Sequence, residues 1–167
     1  MSIFVTAESL RADLAALPSV QQVYIAGSIR RGKRDPKDIE LVALVQPVTD
    51  IFGQAEDAPT MDATDLLLAQ GQKLKGGRSY TQLVIDGHKV DYFQTWDAQR
   101  FGLLLFIRTG SADYVHRALI HWKSLTHGGY SSSNLLHDAA GTPRPTPTEA
   151  AVYAALEWPW AAPEDRR

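Results

Sequence analysis

"GSIRRGKRDPKDIEL", residues 27–41, sets five basic side chains (Arg30, Arg31, Lys33, Arg34 and Lys37) ahead of Asp38 and Glu40, then runs into the apolar "LVALV". Residues two apart in a strand share a face, so Asp38 and Glu40 project the same way from the start of a strand "DIELVALV". Beyond Glu40 both faces of that strand are apolar, which predicts a position inside a sheet rather than at its edge. Two like charges side by side either stay in water or share cations. Mg²⁺ suits them, because it takes hard oxygen ligands and is usually held by a couple of carboxylates together with substrate phosphates. Gly27 and Ser28 fall where a short strand "QVYIA" gives way to a helical segment. Such a turn aims backbone N–H groups outward and favours phosphate, and Arg30 or Arg31 can meet phosphate oxygens with a fork of donors.

A third carboxylate is needed to hold ions well, and Asp91 is the candidate. It lies mid-strand in "HKVDYF", where propensity gives an acid no reason to be. Its strand belongs to the clearest hairpin in the chain, "YTQLVIDGHKVDYFQT", whose Asp86-Gly87 supplies a two-residue turn. Around this centre, "AESLRADLAAL" reads as a helix capped by Thr6 and stopped by Pro18. Residues 46–61 read as a loop, "DATDLLLAQG" as a helix with a glycine exit, and "LKGGRS" as a turn. After Trp96 the pattern becomes helical: "DAQRFGLLLFIRTG", then "SADYVHRALIHWKS" capped by Ser111, then a Gly/Ser/Pro/Thr-rich stretch over 126–147 that reads as a loop or a weak hairpin. The last helix, "TPTEAAVYAALEW", has Thr148 or Thr146 as its cap. The expected fold is α/β (α+β): a strand-rich unit over 1–96 with a mixed sheet, and a small helical unit over 97–167.

Composition bounds the function. The chain has 167 residues, 44% hydrophobic and 22% charged, a globular balance able to bury a core. Its net charge is −2 and its pI about 6.2, unlike the strongly basic domains that coat nucleic acid. Any contact with a polyanion is therefore expected to be local, or helped by a partner protein. The absence of cysteine excludes disulfides, thiolate metal sites and a cysteine nucleophile. "MSIFVTAESLRADL" does not read as a signal peptide, and the apolar run "FGLLLFI" is far short of the ~20 residues of a membrane span. The expectation is a soluble cytoplasmic protein. The five histidines form no zinc-helix pattern such as H-E-x-x-H, and the four tryptophans read as packing residues.

Gly27-Ser28, nine residues, then Asp38-x-Glu40 resembles the nucleotidyltransferase signature of the DNA polymerase beta superfamily. "AGSIRRGKRDPKDIELV" is similar in detail to the family X DNA polymerases. "KVDYF" resembles the segment carrying their third acid, "FGLLLFIRTGSADY" their palm-to-thumb helix, and "PTEAAVYAALEWPWAAPEDRR" the end of their thumb. These matches run in family order from about residue 8 onward, and are nearest to small phage or prophage members. The resemblance implies a palm (1–96) and a thumb (97–167). It also implies two Mg²⁺ ions (Mn²⁺ as a substitute) bridged by Asp38 and Glu40, with Asp91 on the catalytic ion. The ions would lie ~3.5–4 Å apart and clamp an in-line displacement of pyrophosphate. Ser28 and Arg31 would grip the outer phosphates beside Gly27, and Thr109-Gly110 would bend the backbone against the nucleotide sugar.

The chain departs from the family at defined places. Glu40 stands where the second acid is usually Asp. One methylene is ~1.5 Å of reach, and misplacing a reacting geometry by ~1 Å can cost ~100-fold in rate. Ile107-Arg108 replaces an aromatic pair that senses the sugar, and Val115 and Leu119 fall where a polar and a basic residue usually face DNA. Neither the lyase domain nor the helix-hairpin-helix DNA grip of larger relatives has a counterpart. The expected activity is Mg²⁺-dependent transfer of a nucleoside monophosphate from a nucleoside triphosphate to a DNA 3′-end, in repair or gap filling, in a bacterial or phage-infected cell. RNA, a small molecule or a protein hydroxyl is the alternative acceptor, and a non-catalytic nucleotide- or partner-binding palm is the second alternative.

Overall fold

The computed structural model describes residues 1–167, and the chain divides into two units: Met1–Ile29 with Lys33–Asp97, and Arg30–Gly32 with Ala98–Arg167. The fold is mixed α/β. In chain order the first unit contains α1 (Ile3–Ala15), β1 (Val20–Ile25), the start of the one-turn α2 (Gly27–Arg30), β2 (Asp38–Val45) and β3 (Pro47–Thr49). β4 (Ala55–Pro59), α3 (Asp62–Gln70), β5 (Gln72–Gly76), β6 (Tyr80–Ile85) and β7 (His88–Thr95) follow. Five strands form one sheet in the order β1-β2-β7-β6-β5. The β2–β7 pair at its middle is parallel, and the other pairs are antiparallel.

Strand parity decides what this sheet shows to each side. Ile39, Leu41, Ala43 and Val45 of β2, Val90 and Tyr92 of β7, and Leu83 and Ile85 of β6 join Ala7, Leu10 and Leu14 of α1 and Ala63 and Leu67 of α3 in one buried cluster. Asp38 and Glu40 have the opposite parity, as does Asp91, so they point away from α1 and α3. β2 is buried continuously from Leu41 to Val45, as expected of an interior strand. The β6–β7 connection is the expected two-residue turn: Asp86 and Gly87 have φ of 51° and 77°, the conformation that matches strand twist.

Three local readings differ. α1 begins at Ile3, four residues before the expected start, because Ser2 rather than Thr6 is its cap and accepts from the N–H of Val5. Thr6 is buried, and its own N–H already bonds the Ser2 carbonyl. Residues 46–61 hold a short hairpin of β3 on β4 rather than only a loop. "LKGGRS" is partly β5, an exposed edge strand paired with β6 through a bulge.

The second unit contains α4 (Ala98–Thr109), α5 (Ala112–Leu125), β8 (Tyr130–Ser132), β9 (Leu135–His137), β10 (Pro143–Arg144) and α6 (Glu149–Leu156). Leu103 and Phe106 of α4, Tyr114, Ala118 and Trp122 of α5, Leu136 of β9, and Val152, Tyr153 and Leu156 of α6 make its core. Ser111 and Thr148 cap α5 and α6 by accepting from Tyr114 and Ala151 N–H. Gly102 lets α4 meet the start of α6 closely: a Cβ there would lie within 2.5 Å of the Thr146 and Thr148 backbone. The 126–147 stretch resolves into three short antiparallel strands. No helix is long and apolar enough to cross a membrane.

Candidate active site

The parallel pairing of β2 with β7 aligns Asp38 with Lys89 and Glu40 with Asp91. All four side chains therefore leave the same face of the sheet. Asp91 is only 8% exposed, and a carboxylate so placed must find partners. Its Oδ1 accepts from the Tyr80 hydroxyl and from Gln82 Nε2, both at 2.6 Å. Gln82 is its register partner on β6, and Tyr80 is two residues from Gln82 on the same face. The other oxygen, Oδ2, lies 3.5 Å from Lys89 Nζ, which also sits 3.0 Å from Asp38 Oδ2. One ammonium thus bridges two of the three acids. The Lys89 pKa is raised, first by its hydrogen bond to Asp38; burial opposes this, and the Asp91 and Asp38 charges raise it further. It is a cation at every physiological pH.

The third acid is elsewhere. The end of the Glu40 side chain lies over Gly27: a Cβ built on Gly27 would be 2.5 Å from Glu40 Oε1 and 2.8 Å from its Cδ. Gly27 itself has φ +59°, a conformation that already favours glycine. The strand exit is pinned by Ala26 N–H donating to the Glu40 carbonyl at 2.8 Å, and the following turn by Lys33 N–H donating to the Ser28 carbonyl at 3.0 Å. No group of three or more histidine or acidic side chains is close enough to enclose a metal ion. Lys89 reaches two of the three acids, Asp38 and Asp91. The donor set nevertheless fits a hard divalent ion: Asp38 and Asp91 already direct oxygens at one positive centre.

The arginines and Thr109 form a separate arrangement within the second unit. Arg30 donates from Nη1 to Glu149 Oε1 at 3.0 Å and from Nη2 to Oε2 at 2.7 Å, and its Nη1 also reaches Thr109 Oγ1 at 2.6 Å. Arg166, fully buried, pairs with the same Glu149. Its guanidinium lies 5.0 Å from the Trp160 ring centre and 5.3 Å from that of Tyr153. Arg31 donates from Nη1 to the Thr109 carbonyl at 2.6 Å. Arg30 is thus engaged in a half-buried structural fork here, and Thr109, itself fully buried, is held through both hydroxyl and carbonyl. Gly110 ends α4, its N–H donating to the Phe106 carbonyl at 3.0 Å, and a Cβ there would meet Val115 Cγ2 at 2.8 Å.

Lys89, Tyr80, Gln82, Glu149 and Arg166 were not singled out from sequence. A signal existed for Lys89, two residues before Asp91 and so on its face. Glu149 gave none, since an acid in the first turn of a helix reads as a favourable dipole partner. Among the histidines, His121 Nε2 lies 2.8 Å from the Leu156 carbonyl and its ring packs on Trp158. No protein family model matches the chain, and no curated protein does.

Proposed function

We propose that the chain is a Mg²⁺-dependent nucleotidyltransferase of the family X DNA polymerase kind, joining a nucleoside monophosphate to a DNA 3′-hydroxyl. The observation that carries the reading is the β2–β7 register, with Asp38, Glu40 and Asp91 on one sheet face beside a glycine–serine turn. Asp38, Glu40 and Asp91 would hold the metal, which when bound polarises the phosphate under attack and acidifies the acceptor hydroxyl. The chain's own groups do the rest. Tyr80 and Gln82 fix Asp91 through Oδ1, which keeps Oδ2 for the cation or for the acceptor's proton. A new bond forms from the acceptor oxygen to the α-phosphorus as the bond to pyrophosphate breaks. Gly27 and Ser28 are the candidate phosphate contacts of the first unit. Arg31, Thr109 and Gly110 remain candidate nucleotide contacts; Arg31 has spent one donor on the Thr109 carbonyl and has others to offer. The low net charge fits weak binding to DNA unless a helper protein contributes, and a cytoplasm of a bacterial or phage-infected cell would hold the substrates.

The test is extension of labelled gapped DNA, single-stranded DNA and RNA with nucleoside triphosphates and Mg²⁺ or Mn²⁺. Elongated gapped DNA supports the reading, and product only on RNA shifts the acceptor. Glu40, standing where the second acid is usually aspartate, favours one second reading, a palm that binds nucleotide without turnover. Calorimetric binding that is indifferent to Mg²⁺, with no pyrophosphate released, selects it.

A further inference from the structure

We infer that the chain pairs with a second copy of itself about a two-fold axis, the tip of each copy's β3–β4 hairpin seating on the β5 edge of the other. This is independent of the nucleotidyl-transfer reading and uses none of the residues assigned to it. The hairpin tip has a defined frame. Asp50 Oδ1 accepts from the N–H groups of Phe52 and Gln54 at 2.9 and 2.8 Å. The Asp50 N–H donates to the Gln54 carbonyl at 2.9 Å, and its carbonyl accepts from Gly53 N–H at 3.0 Å. The base is held by Thr60 N–H on the Gln46 carbonyl and Gln46 N–H on the Ser19 carbonyl, at 3.0 and 2.7 Å. Trp96 Nε1 donates to Asp57 Oδ1 of β4 at 2.9 Å. This frame holds Ile51 93% and Phe52 80% exposed. Covering such an apolar pair is favourable, and adjacent exposed apolar side chains on a fixed turn mark a contact surface.

Charge selects the partner. Residues 46–72 contain Asp50, Glu56, Asp57, Asp62 and Asp65 and no lysine or arginine. That setting repels phosphate, so neither nucleic acid nor an anionic membrane suits the tip. It suits an apolar surface flanked by cations, and this chain carries one. β5 is the last strand of the five-stranded sheet, with no strand on its outer side. Its register with β6 slips between Lys73 and Lys75, a bulge that leaves Leu74 without a register partner and 51% exposed. Lys73, Lys75 and Arg78 beside it are exposed, and residues 66–85 contain no acid. An apolar pair among acids on one copy thus meets an apolar side chain among cations on the other. In a two-fold dimer each copy gives one tip and receives one, so the two contacts form together.

Sedimentation velocity of the full chain from about 1 to 100 µM tests the pairing. The mass is expected to rise with concentration and level off at twice 18.4 kDa, and the rise is expected to weaken at high salt. Phe52→Ser is expected to weaken the dimer about tenfold or more. Glu56→Lys and the double variant Lys73→Glu/Lys75→Glu are each expected to weaken it as much, because each sets like charges against each other at both contacts. An equimolar mixture of those two proteins is expected to regain dimer, since in the mixed pair both contacts join opposite charges. All these positions are exposed, and far-UV circular dichroism shows that the variants are folded. A wild type that stays monomeric throughout, a mixture that dimerises no better than its components, or a mass that grows past the dimer without levelling overturns the inference and leaves nucleotidyl transfer untouched.

Discussion

Replacing Glu149 by alanine is the sharpest single perturbation of the second unit. The Glu149 side chain is 6% exposed and holds two guanidinium groups, Arg30 at 19% and Arg166 at 0%. Removing it leaves a buried cation, Arg166, whose Nη2 already has no hydrogen-bond partner, and frees Arg30 from a two-bond fork. Removing one partner of a buried pair typically costs ~3–5 kcal/mol, because the charge left behind is uncompensated. Each kcal/mol lowers the melting temperature by ~2–4 °C in a chain of this size, so a fall of about 6–20 °C is expected. Tryptophan fluorescence during urea or thermal unfolding is the assay, since Trp122, Trp158 and Trp160 all lie in this unit. A buried pair is weakly screened, so the loss should persist at high salt. The double variant Glu149→Leu/Arg166→Met removes both charges and should recover part of the loss. A Glu149→Ala protein within about 1 kcal/mol of wild type would refute the buried-network reasoning.

Three further outcomes concern the first unit. Lys89→Ala leaves Asp38 and Asp91 facing each other without a cation, so millimolar Mg²⁺ should raise its melting temperature more than that of the wild type; an equal gain removes Lys89 from the role of resident counter-charge. The raised Lys89 pKa, caused first by the Asp38 hydrogen bond, means that its ion pair contributes fully below the ordinary lysine value and fades as pH rises through the raised one. NMR titration of the Lys89 ε-methylene should place its midpoint above that of exposed lysines, and a midpoint at or below theirs contradicts the bridge. Asp91→Asn should cut nucleotide transfer by about 100-fold or more while nucleotide binding persists; near-normal turnover would dismiss Asp91 as the third acid.

Much of the sheet was legible because its signals are local. The parity of "DIELVALV" predicted both an interior strand and two acids on one face, and Asp86-Gly87 announced its turn through a backbone that closes a two-residue hairpin comfortably. Ser111 was readable as a cap for a similar reason, and Thr148 as one of two choices beside Thr146: their side chains answer N–H groups three residues away. The β3–β4 hairpin and β5 were missed because "AEDAP" and "QKLKG" are short, polar and largely exposed. Such edge strands exist only because a neighbouring strand offers hydrogen bonds, and no periodicity records the offer. The start of α1 was misjudged because Thr6 looks like a cap yet is buried one turn inside the helix.

The candidate site divides in the same way. Sequence alone nominated the candidate residues, set Asp38 and Glu40 on one face, and placed Gly27 at a turn, since each depends on side-chain type and on spacing along one strand. Tertiary structure alone decided that β7 runs parallel to β2 with Glu40 against Asp91. It also decided that Lys89 lies between two acids, that Glu40 leans onto Gly27, and that Arg30 is committed to Glu149, 119 positions away. These contacts depend on strand order, register and the direction of side chains from separate elements. Those are set by burying the whole core at once, and no stretch of chain encodes them by itself.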